Sequence, residues 1–472
     1  MIPLSLAEIA SITGARLDRA PDPGLLVTGP VVIDSRETAA GGLFVALPGE
    51  RVDGHDFAAA AIAAGAVAVL ASRPVGVPAL IVADPAAALA SLARAVVDRL
   101  PGLTITGITG SSGKTTTKDL VAQLMERLGP TVAPPGSFNN ELGHPLTVLC
   151  ADEHTRYLVL ELGARGRGHI AQLCAIAPPR YGAVLNVGRA HVGDYFADQA
   201  EVAEAKGELV EALPANGAAV LNADDPQVER MRSRTAAPVI EFGRASQAKV
   251  QASGVSLDRE GRPSFTLATP QGSAPVRLNL RGEHNVSNAL AAAALAGAAG
   301  LPLDQIAEGL SAAVARSKRR MEVTRRPDGV TVINDSYNAN PDSMRAALTA
   351  LAALAAGGRS FAVLGHMAEL GANAGKWHEE IGAYAARTGV TTLIVVGADA
   401  APMLTGARSE PDWPGELLPV PDGPAAVAAV TSRLRAGDTV LVKASRAVAL
   451  WGVAEALLPQ ARPAEGPMGT AQ

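Results

Sequence analysis

The chain has 472 residues, 48% hydrophobic and 18% charged, with a formal net charge of -5. That length exceeds what one hydrophobic core organises and predicts about three domains. The acidic balance excludes a general nucleic-acid-binding surface, which would carry basic clusters. Cys150 and Cys174 are too few and too far apart for a zinc pattern or a disulfide framework. The start "MIPLSLAEIA" has no basic region before its apolar residues, and "FAAAAIAAGAVAVLAS" is interrupted by Gly65 and too short to cross a bilayer. A cytoplasmic protein without membrane insertion is expected.

In chain order, residues 1–100 alternate short helical patterns with apolar runs such as "GLFVAL" and "GAVAVLAS", which reads as a small α/β unit ending at Pro101-Gly102. From "LTITGITG" onward, "YLVLEL", "GAVLNV" and "AAVLNA" are buried-strand patterns separated by amphipathic helices. Such alternation predicts a mostly parallel sheet covered on both faces. Residues 247–281 shift to strand-like alternation as in "PVRLNL", suggesting antiparallel strands added to that sheet, and lead into the alanine-rich helix "HNVSNALAAAALAGAAG". After the basic run "ARSKRRME", the strands "VTVIND", "SFAVLG", "TLIVVG" and "DTVLVK" open a third α/β domain. The Pro-, Gly- and Ala-rich tail from Pro463 is expected to be disordered.

The segment "GITGSSGKTTTKDL" joins an apolar strand to a helix that has Leu120, Val121, Leu124, Met125 and Leu128 at helical spacing. A glycine turn in that context is a phosphate loop. Backbone N–H groups of Gly110, Ser111, Ser112, Gly113 and Lys114 can converge on phosphate oxygens, Lys114 can neutralise the β and γ phosphates, and Thr115 can ligate Mg²⁺, with Thr116 beside it. Ile108 stands where the general motif has its first glycine, leaving the shorter G-x-x-G-K-T-T. A nucleoside triphosphate, read as ATP, is the expected ligand.

Glu161 ends the strand "YLVLEL" and His191 follows "GAVLNV", each at a crevice edge where it can serve a metal. Lys206 in "EVAEAKGELVEAL" has Val202, Ala203, Leu209 and Val210 at helical spacing and no acid to pair with. A lysine on an apolar stripe has a lowered pKa and a nucleophilic amine, which CO₂ can carbamylate. Snorkelling to solvent is its ordinary alternative.

In order and over essentially the whole chain, "TGSSGKTTTKDL", "LELGA", "NVGRAHVGDY", "AEAKGEL", "GEHNVSNALAA" and "KRRME" resemble the Mur ligase family of bacterial cell-wall synthesis. The resemblance implies three α/β domains. A small N-terminal domain over 1–100 would bind the UDP-sugar, and a central P-loop domain with a mostly parallel sheet over 101–315 would bind ATP. A Rossmann-like domain over 316–462 would bind nucleotide and dipeptide, followed by the tail 463–472. The implied activity joins an amino group to a carboxylate through an acyl phosphate. "VVIDSRETAAGGLFVALPGERVDGHDF", "PPGSFNNELGHPLTVL" and "INDSYNANPDSM" look like the branch that adds D-alanyl-D-alanine to UDP-N-acetylmuramoyl-tripeptide.

By the same resemblance, Thr115, Glu161 and His191 are metal residues for two Mg²⁺ sites, and Lys206 is a carbamylated ligand. Asn288 contacts adenine, Arg320 the γ-phosphate and Asp335 the ribose. Ser35 and Arg36 lie near the UDP-sugar, and Asn139 and Asn140 sit at substrate contacts. Tyr337, Asn338 and Asn340 line the dipeptide site, with Ser445 and Arg446 as carboxylate-binding candidates. His366 replaces the family's usual acid, and Ala444 its common glycine. A monomer hinged near residues 310–320 is expected. A P-loop ATPase that drives a partner protein remains open, distinguished by ATP turnover indifferent to small-molecule acceptors, as does another amide ligase of the same superfamily.

Overall fold

The computed structural model describes residues 1–20, 22–49, 52–189 and 192–458. His191 and the tail from Pro463 lie outside the described residues. The N-terminal sheet runs in the order Arg16–Asp18, Ala79–Ile81, Ala66–Ala71, Gly42–Val45, Val31–Val32, parallel except for the first strand. Its long helix, Pro85–Asp98, starts at Asp84, whose carboxylate caps the N–H groups of Ala86 and Ala87. That helix does not belong to the first domain alone. Leu89, Leu92 and Val96 share one apolar cluster with Ile105, Leu146, Leu149, Leu158 and Leu160 of the second domain. Burying such side chains contributes about 1.5–3 kcal/mol each, so the two domains are seated on each other by a common core.

Among the described residues, the second sheet runs in the order Gly272–Arg277, Pro263–Thr269, Val250–Leu257, Val239–Gly243, Ala218–Asn222, Tyr181–Val184, Thr104–Thr109, Tyr157–Glu161, Thr131–Val132. The first three strands form the antiparallel extension expected from the sequence, and the rest are parallel. Thr104–Thr109 lies between Tyr157–Glu161 and Tyr181–Val184, and the chain leaves it toward opposite sides of the sheet in turn. Ligands of open α/β sheets bind at such a switch point, beyond the carboxyl ends of the strands. The phosphate loop is there, between Thr104–Thr109 and the helix Lys114–Met125. On one face this helix packs with the helix His284–Ala298, whose alanines 289, 291, 292, 293, 294 and 296 are all buried. Small side chains there let the two helices approach closely, so alanine serves packing in this helix.

The third sheet runs in the order Glu322–Arg325, Thr331–Asn334, Thr439–Lys443, Ser360–Leu364, Thr392–Val396, Glu416–Val420, with only the first pair antiparallel. Apolar clusters cover both its faces. The connection into this domain is tied to the phosphate-loop helix as far as Ser317. Gln123 and Val314 exchange hydrogen bonds at 3.0 Å, and the Ser317 N–H donates to Asp119 at 2.9 Å. Beyond that anchor Arg319 and Met321 take left-handed φ of 62° and 49°. No helix of the described residues is long and apolar enough to cross a membrane.

Candidate active site

Where the three domains meet lies a cavity of about 2320 Å³, walled by Val31 and Glu37 of the first, the phosphate loop of the second, and Asn338 and Lys443 of the third. A pocket for one drug-sized ligand occupies roughly 300–1,000 Å³, so this space accommodates several substrates side by side.

The phosphate loop is shaped by Gly113, which takes φ +85° as the residue before the helix. A Cβ there would stand 2.4 Å from Asn288 Oδ1, so both the backbone and the neighbouring helix require glycine. Asn288 is held by the Thr117 hydroxyl, which donates to its Oδ1 at 3.3 Å, and by Asn285, which accepts from its Nδ2 at 2.9 Å. Lys114 Nζ donates to the loop's own Gly110 carbonyl at 2.8 Å. Asn186, at the end of the neighbouring strand pattern, was not singled out in the sequence. Its Oδ1 accepts from both Ser111 and Ser112 N–H at 2.9 Å, bracing the loop.

Glu161 ends its strand fully buried, at 1% exposure. It accepts from Thr115 Oγ1 and Ser137 Oγ at 2.8 Å and from Asn139 Nδ2 at 2.7 Å. A hydroxyl and a carboxylate in contact form the hard-oxygen pair that suits Mg²⁺. From the third domain, Arg320 Nη2 donates to the Thr115 hydroxyl at 3.0 Å, while its buried Nε–H has no partner among the described residues. A buried guanidinium with a spare donor facing a phosphate loop is built for an anion.

Lys206 is 4% exposed on the helix Gln199–Glu211, borders the cavity, and makes no hydrogen bond or ion pair among the described residues. Burial pushes its amine well below the ordinary lysine range, and the nearby Lys114 charge adds to the shift. Burial likewise lowers Lys114, against the pull of Glu161. Burial also lowers Lys443, against Asp335. Three amines with lowered pKa around one cavity suit a polyanion there.

Lys443 carries part of the site that the sequence reading missed, although it ends the strand "DTVLVK" two residues before Ser445. Its Nζ donates to Asp335 Oδ2 at 2.6 Å and to the Asn338 carbonyl at 2.9 Å. Asp335 Oδ1 accepts the Met321 N–H at 3.1 Å, so this carboxylate also fixes the backbone where the chain enters the third sheet. His284, overlooked within "GEHNVSNALAA", faces the same cavity, its ring lowered in pKa by burial.

Residues 30–100, 108–296 and 319–446 match, in turn, the Mur ligase family catalytic domain, the Mur ligase middle domain and the Mur ligase glutamate ligase domain. The chain is 51% identical, over 97% of its own length and 98% of the relative's, to the UDP-N-acetylmuramoyl-tripeptide–D-alanyl-D-alanine ligase of Mycobacterium bovis. This chain belongs to the Mur ligase family. Its fold matches a crystal structure of MurF from Acinetobacter baumannii at 31% identity and TM-score 0.85, covering 96% of this chain and 99% of that one. A MurF ligase from Thermotoga maritima in complex with ADP matches at 30% identity and TM-score 0.77, covering 91% and 97%.

The remaining candidate residues fall unevenly around this Mur ligase cavity. Tyr337 stacks under Arg320, at 4.1 Å from guanidinium to ring centroid, and Arg446 lies over the same ring at 5.9 Å. Asn340 caps the helix Pro341–Ala355 and donates to Ser112 Oγ at 3.2 Å, linking the third domain to the phosphate loop. Ser445 Oγ accepts the Ala368 N–H at 2.8 Å. Asn140 accepts the Gly143 N–H at 2.9 Å as a local turn brace. Ser35 and Arg36 do not line the cavity. Asp34 caps the short turn Ser35–Glu37 and pairs with the exposed Arg36 at 2.6 Å, leaving Val31–Ile33 and Glu37 as the nearer wall. His366 stacks on His378 with ring centroids 5.0 Å apart, and a Cβ on Gly365 would stand 2.9 Å from that of Ala444. Alanine fits where glycine is common because its neighbour is the glycine.

Proposed function

We infer that this Mur ligase joins D-alanyl-D-alanine to UDP-N-acetylmuramoyl-tripeptide with cleavage of ATP to ADP and phosphate, yielding the pentapeptide precursor of peptidoglycan. The observation that carries the reading is whole-length likeness to ligases named for that reaction, and the three-walled cavity supports it. The tripeptide's terminal carboxylate oxygen attacks the γ-phosphorus and ADP leaves. The dipeptide amine then attacks the acyl-phosphate carbon, loses a proton, and phosphate departs. Lys114 and Arg320 hold the phosphates against the charge that builds up. The enclosing walls keep the two substrates in line and exclude water from the acyl phosphate.

Thr115 and Glu161 form the proposed seat of one Mg²⁺, His191 and Lys206 as its carbamate that of a second. Bound there, Mg²⁺ supplies Lewis-acid stabilisation of the transferring phosphoryl group. Lys206 supports this assignment by its unpartnered, deprotonation-prone amine, since carbamylation requires the neutral form. Asn288 reads adenine, Asp335 faces ribose, and Asn139 with Asn140 borders the muramoyl peptide. Tyr337, Asn338, Asn340, Ser445 and Arg446 surround the dipeptide, and the turn carrying Ser35 and Arg36 borders the UDP-sugar. The enzyme is proposed to act as a cytoplasmic monomer, with residues 1–100, 101–315 and 316–462 as its working domains.

The deciding experiment measures phosphate release from ATP and Mg²⁺ with UDP-N-acetylmuramoyl-tripeptide, with and without D-alanyl-D-alanine. Release that requires both, with a UDP-pentapeptide product by mass, is expected. ATP turnover indifferent to both substrates rejects the ligase reading.

A further inference from the structure

The second and third domains also touch along one edge of the cavity, where Gly188, Arg189 and Asp342 line it beside the phosphate loop. Gly193 and Gly371 meet backbone to backbone: a Cβ on Gly371 would stand 2.3 Å from Gly193 C, and one on Gly193 would stand 2.7 Å from the Leu370 carbonyl oxygen. Beside them Arg189 lies over the Trp377 ring at 4.5 Å, and its N–H donates to Asp342 Oδ2 at 3.4 Å. The Arg189 guanidinium has no carboxylate partner among the described residues, so the indole face is its main interaction.

The second-domain side of this contact is wired to the phosphate loop. Ser111 and Ser112 N–H bond to Asn186, and the Gly188 N–H donates to Ser111 Oγ at 2.8 Å. Gly188 itself leaves no room for a side chain, because its Cβ would stand 2.3 Å from Asp342 Oδ2. The phosphate loop, Asn186, Gly188 and Arg189 therefore run in one continuous chain of contacts to the third domain.

We propose that Arg189 and Gly193 of the second domain, with Trp377 and Gly371 of the third, form an interdomain clasp that holds the arrangement in which Arg320 reaches Thr115. These are positioning residues. They touch no reacting atom in the proposed site, and they act through the placement of Arg320 and Asn340 over the phosphate loop. A backbone-to-backbone approach of two glycines has no slack, and the partly exposed cation–π contact of Arg189 on Trp377 adds to it, so the clasp is either formed or lost.

The test compares R189A, W377A, their double variant and G371A with the wild type, using small-angle scattering with and without saturating ADP and calorimetric ADP affinity. Only the kinetic arm rests on the ligase reading. With ADP, the variants are expected to keep a larger radius of gyration than the wild type, and G371A the largest. In the ligation assay, R189A and W377A should each lower kcat roughly two- to fivefold, with ADP affinity kept within about twofold and the double variant no worse than the poorer single. Scattering curves that superimpose on the wild type's overturn the clasp, as do single losses that multiply in the double variant. A wild type that makes no pentapeptide product defeats the ligase reading alone, since the scattering comparison stands without it.

Discussion

Arg320 of the third domain donates to the hydroxyl of Thr115 in the second, across 3.0 Å, and the same hydroxyl donates to Glu161 at 2.8 Å. Two domains thus meet on one side chain of the phosphate loop. The third domain completes the phosphate site instead of merely covering it.

On the proposed mechanism, replacing Arg320 by Ala removes a charge-assisted donor aimed where phosphoryl charge develops. Single donors of this kind contribute about 2.7–4 kcal/mol to a transition state. A fall of roughly 10²–10³ in kcat is expected, with a smaller change in the KM for ATP. R320K should recover little of it, because an ammonium cannot both stack on Tyr337 and keep the fork geometry. Steady-state phosphate release at saturating substrates decides this.

For Gly113, the expectation is lost nucleotide binding. An Ala side chain meets Asn288 Oδ1 at 2.4 Å and must also adopt φ +85°, which costs about 1–2 kcal/mol in backbone strain alone. ADP affinity measured by calorimetry should fall at least tenfold in G113A. Adding N288A relieves the clash but leaves the strain and removes the proposed adenine contact, so the double variant should not regain wild-type affinity.

Lys206 sets function against stability. Its amine is depressed in the folded protein, so the unfolded chain binds more protons and stability rises with pH up to the ordinary lysine range. K206M removes that cost and should raise the melting temperature of the ligand-free protein by about 2–4 °C at neutral pH. It should also abolish ligation, whereas K206A should regain partial activity with added short carboxylates. A fully active K206A enzyme rules out the carbamate role, and ¹³C-bicarbonate NMR provides a direct view of the adduct in the wild type.

His144 is completely buried, and among the described residues neither ring nitrogen makes a hydrogen bond of good geometry. Burial lowers its pKa to about 4, an effect tempered by the Leu173 backbone. A depressed histidine leaves the fold at full stability above pH 6.5 and weakens it as pH falls toward 4. The loss over that window is about 3 kcal/mol. Melting curves of H144L should lack this portion of the acid sensitivity, and identical pH profiles for the two proteins would contradict the assignment.

The strands and the phosphate loop were legible because their signals are local. "LTITGI" has the length and apolar content of a buried strand, and "GSSGKTT" must turn where glycine alone tolerates the backbone. Lys206 was legible for a related reason: helical periodicity fixes which face a residue occupies before any partner is known. Resemblance then added Arg320 and Asn340, whose places depend on contacts across domains, and Asp335, which a distant strand of its own domain holds; no local pattern encodes these. It also offered Ser35 and Arg36, which the fold sets just outside the cavity wall, where Asp34 holds the arginine over two residues of separation.

What the sequence determined by itself, then, is whatever follows from period, turn chemistry and charge within a few residues: three α/β units, a triphosphate loop, and a lysine held on an apolar face. Tertiary structure alone decided that the first two units share a core, that Lys443 holds Asp335 from a strand 108 residues away, and that Gly193 and Gly371 meet. Those contacts depend on which surfaces the packed cores bring together, and burial is a property of the whole chain rather than of any window within it.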